Sequence, residues 1–561
     1  MIKQYFFDFN KLKIAYFSME IGVESKIPTY SGGLGVLAGD MLRSSADLNL
    51  PVIGVTLLYK KGYFKQKIDS GGNQLEEIET WSPENYLIKL PNRVSVSLNG
   101  RDVFVDCWLY EIKGIKGTVN PIIFLDTDLN ENEEQDREIT KKLYGEGEDY
   151  RILQEAVLGI GGFRMVENLG CSIEKYHMNE GHSAFLTLEI YKKSSGDKLE
   201  ETRKRCVFTT HTPVPAGHDE FSKDIVERVL QNNIPSEIKE QIFFDDKLNM
   251  TYLGLKFSGH INGVAKKHEE ISKKMFPDYH IESITNGVHS VFWTSEYFAS
   301  LFDKYIPNWR EDSFNLRYVM SVPKEKIWVA HIKSKKKMID WINKKYSLQM
   351  DTKTFTIGFA RRATGYKRWE LLLSDLNRLK EIAGKFEGIQ IVYAGKAHPR
   401  DTEGKEVIKR ILQKSRDLGA KIKFCFIENY NIDVAKKLVC GVDLWLNTPL
   451  RPKEASGTSG MKAAHNGVPQ FSVLDGWWLE GHIENVTGWS IGPNPDDEQQ
   501  ADLDKKELED LYSKLEYVIL PTYYESRDDW IGIMRHTISI NASFFNTDRM
   551  VQQYVSNAYF K

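Results

Sequence analysis

From Phe355 onward the chain alternates short apolar runs with amphipathic stretches, and this alternation constrains the fold more than any other feature of the sequence. Phe355–Ala360, Ile389–Ala394, Ile422–Ile427 and Val442–Leu446 have the length and composition of buried strands. Leu371 to Ile382, Val407 to Leu418 and Asp433 to Cys440 carry apolar residues at helical spacing, and Gly419 stops the second of them. Strands separated by helices pair in parallel, with the helices covering both faces. The prediction is an α/β fold with doubly wound parallel sheets. The first half carries strands at Lys13 to Phe17, Val52 to Tyr59, Val103 to Leu109, Ile122 to Leu125 and Cys206 to Thr210. Helices are expected at Val36 to Leu48 and Arg151 to Val166.

At 561 residues the chain exceeds one core, so two or more domains are expected. The pattern turns mixed and polar between Phe302 and Val322, with Pro307 and Pro323, and a long charged helix follows from Lys324 to Lys345. Boundaries are therefore placed at 1–320, 321–535 and 536–561, the last a helical tail packing on the outside of the body. Asp126 to Glu138, rich in acids and Asn, is read as a solvated loop.

A net charge of −3 argues against nucleic acid or an anionic membrane as partner. The five cysteines are scattered and unpaired in sequence, which fits reduced thiols in a cytoplasm. No apolar leader or membrane-length run is present. His177 and His182 stand five apart, not at the spacing of a helical zinc pair, so no metal is expected.

Chemistry collects in the loops after the strands, where open α/β sheets bind ligands. Ser31-Gly32-Gly33-Leu34-Gly35 opens the helix from Val36, but its next glycine, Gly39, is one place late for a dinucleotide fingerprint. Glu454-Ala455-Ser456-Gly457-Thr458-Ser459-Gly460-Met461-Lys462 joins a strand to a short helix from Met461 to Asn466. Either glycine stretch is a plain turn or a phosphate cradle by its local sequence. His211 closes a strand before Pro213, and Ile284-Thr285-Asn286-Gly287-Val288 is a third loop of this kind. Arg361, Arg362, Lys367 and Arg368 put four cations into eight residues without an acid. Guanidinium and ammonium groups hold phosphate oxygens by charge-assisted hydrogen bonds, so the loops together favour a site for one or two phosphates.

These segments, in this order, resemble those of the α-glucan (glycogen, starch, maltodextrin) phosphorylases. The stretch from Glu454 to Lys462 is the most specific of them, and the likeness covers nearly the whole chain. The resemblance implies the GT-B architecture, two Rossmann-like domains facing across a cleft. The first would be the glucan side and the second the cofactor and phosphate side. It implies pyridoxal 5′-phosphate on Lys462, with Thr458, Gly33, Trp293, Tyr430 and Arg361 around it. It implies catalytic roles for Lys462, Arg362, Lys367 and His211. Gly35, Leu34, Asn286, Glu454, Ser456 and Gly457 would contact substrate.

The activity so implied is that of a pyridoxal-phosphate-dependent glycosyltransferase. It moves a terminal glucosyl unit, reversibly and with retention, between an α-1,4-glucan or maltooligosaccharide and inorganic phosphate. Glucose 1-phosphate is the product, and the cofactor phosphate serves as the proton-transfer group. Family members are often homodimers. Two departures stand out: Asn431 follows Tyr430 where many members have Arg, and Ala363-Thr364-Gly365 replaces Ile-His-Glu. Nothing in the sequence suggests the regulatory segment of the longer members. The alternative is a GT-B nucleotide-sugar-dependent glycosyltransferase resembling glycogen synthase, but there a second Glu stands near the place of Lys462. A glucan-binding scaffold without activity would need neither Lys462 nor the basic cluster.

Overall fold

The structure is a computed structural model that describes residues 7–145, 147–214, 217–495 and 502–560. The chain forms two compact units. One comprises Met1–Phe64, Ile78–Thr285 and Met550–Lys561, and the other Lys65–Glu77 and Asn286–Arg549. The division differs from the boundaries expected at 320 and 535. The second unit already begins at Asn286, takes in a hairpin from the N-terminal half, and yields the last residues to the first unit.

The first unit is built on a nine-stranded sheet. From one edge the strands are Glu282–Ser283, His260–Gly263, Cys206–Thr209, Lys175–Asn179, Ile14–Ser18, Val52–Leu57, Val119–Asp126, Arg101–Lys113 and Ile88–Leu98. The first seven in that order pair in parallel, and the last two are added by antiparallel pairing. Ile14–Ser18 and Val52–Leu57 are buried at every position, as strands covered on both faces must be. The helix after Ile14–Ser18 spans Gly33–Asp47, so Gly33, Leu34 and Gly35 form its first turn and not a loop ahead of it. Gly39, on the same helix, permits a close backbone approach: a Cβ there would lie 2.0 Å from the Gly22 carbonyl oxygen.

The tail packs on the first unit by one face and leaves Gln552, Ser556 and Phe560 exposed. Tyr554 and Tyr559 are 2% and 3% exposed. The Tyr559 hydroxyl lies 2.7 Å from His177 Nδ1, and that of Tyr554 lies 3.0 Å from both Thr209 Oγ1 and Asn262 Nδ2. Asp126 to Glu138, expected as a solvated loop, is exposed at Asn130, Glu131 and Glu133 to Gln135 but buried or half-buried elsewhere. Asp126, Asn132 and Asp136 are buried, and Arg101 forks onto Asp136 with two bonds of 2.7 Å. Acidic composition concealed a set of ion pairs.

The second unit holds a six-stranded, all-parallel sheet. Its strands, in chain order, are Phe355–Ala360, Ile389–Ala394, Ile422–Ile427, Leu444–Asn447, Gln470–Val473 and Gly488–Ile491. Numbered one to six, they lie 3-2-1-4-5-6 across the sheet, the order of a dinucleotide-binding doubly wound fold. Chain direction across the sheet reverses between the first and fourth strands. Lys324–Tyr346 is the long helix expected, but Leu371 to Ile382 divides into a 3-10 turn, Leu371–Leu373, and a helix, Leu376–Lys385. Ser374 ends the first piece, and Asp375 caps the second, its side chain accepting from Arg378 N. The hairpin pairs Lys65–Ile68 with Gln74–Glu77. Among the described residues no helix is long and apolar enough to cross a membrane.

Candidate active site

At the switch point of the second unit, the first strand delivers Arg361 and the fourth leads to Glu454. Arg361 Nη2 and Lys367 Nζ both donate to Glu454 Oε2. The trio is almost withdrawn from water, with side chains 9%, 9% and 13% exposed. Burial would raise the Glu454 carboxyl, but Lys367 and Arg361 outweigh it and hold it down at about 2. Burial, reinforced by Arg361, pushes Lys367 down to about 7 while Glu454 pulls the other way. Removing one partner of such a buried set costs about 3–5 kcal/mol, because the remaining charge is left uncompensated.

Buried donors and acceptors of the second unit stand without partners among the described residues. Arg361 Nε and Nη1 are buried and have no partner among the described residues, and the same is true of Ser456 Oγ and Asn286 Oδ1. An unsatisfied buried polar group costs about 1–3 kcal/mol, so these atoms mark where a polar ligand is worth most. Arg362 is exposed. Tyr430 feels the Arg361 charge, and burial raises its hydroxyl well above the ordinary value.

Gly457 adopts φ +72°, the left-handed turn that releases the chain from Glu454 into the helix Ser459–Ala464, with Thr458 as its N-cap residue. Lys462 is 8% exposed, and its Nζ lies 4.3 Å from the centroid of the Trp293 ring. That pairing is fixed from both sides. Asn466 Nδ2 donates to Trp293 O at 2.9 Å, and Ser290 Oγ meets His465 Nε2 at 2.9 Å. Gly460 packs the helix on the sheet, since a Cβ there would lie 1.4 Å from Gln470 Oε1. A lysine against a tryptophan, a hydroxyl at Thr458 and a guanidinium with spare donors form a donor set that fits pyridoxal 5′-phosphate, a flat ring bearing an aldehyde and a phosphate. Asn431 does not replace the arginine of many relatives: its side chain caps the helix Ile432–Gly441, accepting from Val434 N at 3.0 Å.

The first unit has a second site at the equivalent reversal, between Ile14–Ser18 and Lys175–Asn179. Glu20, just past the first strand, accepts from Ser31 N, from Gly32 N at 3.1 Å, from Ser31 Oγ at 3.1 Å and from the Tyr144 hydroxyl at 2.9 Å. It therefore fixes the approach to the glycine turn, and a Cβ at Gly35 would come within 2.7 Å of its carboxylate. At the end of the other strand, Asn179 Oδ1 lies 2.6 Å from His211 Nε2, and Glu180 accepts from His211 N at 2.7 Å and Thr212 Oγ1 at 3.0 Å. Burial pushes His211 down to about 3 and Glu180 up to about 7. His211 is thus a neutral hydrogen-bonding group at physiological pH.

The expected residues therefore fall into two sets. Arg361, Lys367, Tyr430 and Glu454 gather at one switch point, with Ser456, Gly457, Thr458 and Lys462 running on from it, and Trp293 and Asn286 belong to the same unit. Gly33, Leu34, Gly35 and His211 belong to the other unit. Glu20 and the Asn179–Glu180 pair, not among the expected residues, stand at or just past strand ends, the signal that could have found them. Sequence reasoning missed Asp475, whose carboxylate accepts from Glu454 N and Gly476 N at 2.9 Å each, because a lone Asp before Gly reads as a turn. Among the described residues no cluster of His, Cys, Asp and Glu is arranged to hold a metal.

Parallel sheets with polar residues collected at the switch point of each define an α/β protein of the ligand-binding, doubly wound kind. The chain belongs to the carbohydrate phosphorylase family, whose model matches residues 21–104 and 218–488. It is 39% identical to the maltodextrin phosphorylase of Thermococcus litoralis over 98% of this chain and 70% of that one. It is 35% identical to the glycogen phosphorylase of Aquifex aeolicus, over 99% of this chain and 87% of the other. An uncharacterized protein of Methanocaldococcus jannaschii is 31% identical over 97% of this chain and 99% of its own length.

Proposed function

We propose that this chain is a pyridoxal-phosphate-dependent α-1,4-glucan phosphorylase. It transfers the terminal glucosyl unit of an α-1,4-glucan or maltooligosaccharide to inorganic phosphate, reversibly and with retention, and yields α-D-glucose 1-phosphate. The observation that carries the reading is Arg361: buried, tied to Glu454 through Nη2, and left with two unpartnered donors beside Lys367. A buried guanidinium so placed is matched to a phosphate oxygen.

The residue roles follow from the chemistry of each group. Arg361, Arg362 and Lys367 would hold phosphate, and they offset the repulsion between two phosphates at close range. Lys462, Thr458, Trp293, Tyr430 and Gly33 would hold the cofactor, which supplies a phosphate able to exchange a proton. Glu454, Ser456, Gly457 and Asn286 would bind glucosyl hydroxyls, the unsatisfied atoms of Ser456 and Asn286 accounting for two of those bonds. His211, oriented by Asn179 and Glu180, would bind the sugar from the first unit as a neutral donor or acceptor. Leu34 and Gly35 would offer backbone N–H groups to phosphate. The GT-B arrangement, with a glucan side in the first unit and a phosphate side in the second, is part of this proposal. So are a cytoplasmic location, in keeping with five free cysteines, and a homodimer. The nucleotide-sugar alternative has no comparable support: the residue on the helix after Glu454 is a buried lysine against Trp293.

The test is direct. The protein, purified with pyridoxal phosphate, is given maltooligosaccharides and phosphate, and glucose 1-phosphate is assayed. Phosphate-dependent release is expected. Absence of glucose 1-phosphate, with glucan elongation from a nucleotide sugar instead, would overturn the reading.

A further inference from the structure

The hairpin Lys65–Glu77 comes from the N-terminal half of the chain but packs in the second unit, between two loops at the carboxyl ends of the sheet strands. Two buried glutamines, Gln66 at 1% exposure and Gln74 at 5%, make the contact. Gln66 Nε2 donates to Gln74 Oε1 at 2.8 Å and to Gly395 O at 2.9 Å, and its Oε1 accepts from Asn429 N at 2.9 Å. Gln74 Nε2 donates to Ala397 O at 2.9 Å and to Glu76 Oε1 at 2.7 Å, and its Oε1 also accepts from Ala397 N at 2.9 Å. Every amide hydrogen and both carboxamide oxygens of the pair are used. The hairpin backbone adds two bonds, from Gln66 N to Asn429 Oδ1 at 3.1 Å and from Ile68 N to Glu428 Oε1 at 2.7 Å.

The loops so held lead straight to the site. On one side, Gly395 has φ +152° and sits so close to the basic loop that a Cβ would lie 2.0 Å from Arg361 O. Arg361 N donates to Ala394 O at 3.1 Å, and Ala363 N donates to Lys396 O at 2.9 Å. The backbone that the glutamines clamp is therefore the backbone on which Arg361 and Arg362 rest. On the other side, Asn429 is held at φ +57° immediately before Tyr430. Four of the six side-chain bonds go to strand-end loops, and the other two tie the hairpin to itself. The four fix where those loops point.

We propose that Gln66 and Gln74 are positioning residues for phosphate: through the Gly395–Ala397 backbone they set the place of the Arg361–Arg362 loop, and through Asn429 that of Tyr430. The inference rests on the phosphorylase reading and extends it to a segment that touches neither sugar nor phosphate itself. A shift of about 1 Å in a charged clamp is enough to cost up to about a hundredfold in rate. Loss of these bonds should therefore be felt by phosphate and not by the glucan.

The experiment compares wild type with Gln66→Met and Gln74→Met, which keep the side-chain length and remove the hydrogen bonds. Leu75→Ala, on an exposed hairpin side chain, is the control. Initial rates are measured against phosphate and against maltooligosaccharide, and the thermal shift induced by inorganic phosphate is measured on the same samples. Each glutamine variant is expected to raise the phosphate KM about tenfold or more, to leave the glucan KM within about twofold, and to shrink the phosphate-induced thermal shift; Leu75→Ala should change none of these. An unchanged phosphate KM in a folded variant, or equal rises in both KM values, would overturn the inference. Should a methionine variant fail to fold, Gln74→Asn, shorter by one methylene, is measured under the same criteria. Wild-type protein with no phosphorolysis would instead overturn the functional reading on which the inference rests.

Discussion

The two units place their polar residues at the same topological point and give it opposite chemistry. In the first unit the reversal between Ile14–Ser18 and Lys175–Asn179 is lined by acceptors that the protein itself uses: Glu20 on the glycine turn, Asn179 and Glu180 on His211. In the second, the reversal between Phe355–Ala360 and Leu444–Asn447 gathers Arg361 and Lys367 around one carboxylate and leaves two guanidinium donors without a partner among the described residues. Topology decides where a site forms, and the residues at the strand ends decide what it binds. In the acceptor-rich site Glu20, Asn179 and Glu180 are spent on the protein's own donors and so fix orientation. The donor-rich one carries an electrostatic deficit that an anion removes.

The largest expected effect lies wholly in the second unit. Lys462→Ala should abolish phosphorolysis and the covalent retention of pyridoxal phosphate after borohydride reduction, with the fold intact. Residual activity at the wild-type rate would mean that the cofactor sits elsewhere. Glu454→Gln comes next. It takes the shared carboxylate from two buried cations, so kcat/KM should fall about a hundredfold or more, by analogy with other broken buried charge sets. A fall confined to the glucan KM, with phosphate saturation unchanged, would separate Glu454 from the cationic site.

A smaller effect is one of pH. Burial, with Arg361, lowers Lys367 to about 7, so its charge is present below that pH and lost above it. In the free enzyme kcat/KM for phosphate should therefore decline above about pH 7. Lys367→Arg, charged throughout the range, should flatten that limb whatever its residual rate. An equal decline in the variant would assign the limb to another group. The smallest effect concerns Asn431. Restoring the arginine of many relatives there removes the Val434 cap and should cost about 1 kcal/mol in thermal unfolding.

Much of this contrast was legible in the sequence because it rests on local patterns. Four cations without an acid, glycines beside hydroxyls, and apolar runs of strand length are visible in any short window. The strand bounds at Phe355–Ala360, Ile389–Ala394 and Ile422–Ile427 match the expectation, since strands buried on both faces are continuous apolar runs. What was not legible depends on distance in the chain. Gln66 and Gln74 bond to residues more than three hundred positions away, and nothing in Lys-Gln-Lys-Ile marks a strand of the second unit. Tyr554 and Tyr559 read as surface aromatics until His177 and Thr209 supply their partners. Acids such as Asp136 read as solvated until Arg101 closes on them. Gly33 and Gly35 were expected ahead of a helix and lie within its first turn, because Gly32 serves as N-cap without a side chain.

The separate roles of His211 and Arg361 are tested most directly by a crossed kinetic measurement. His211→Ala and Arg361→Ala are assayed side by side for KM of phosphate and KM of maltooligosaccharide. The account predicts opposite patterns: the first variant raises the glucan KM about tenfold or more and spares phosphate, while the second raises the phosphate KM and spares the glucan. Parallel changes in both variants would contradict it.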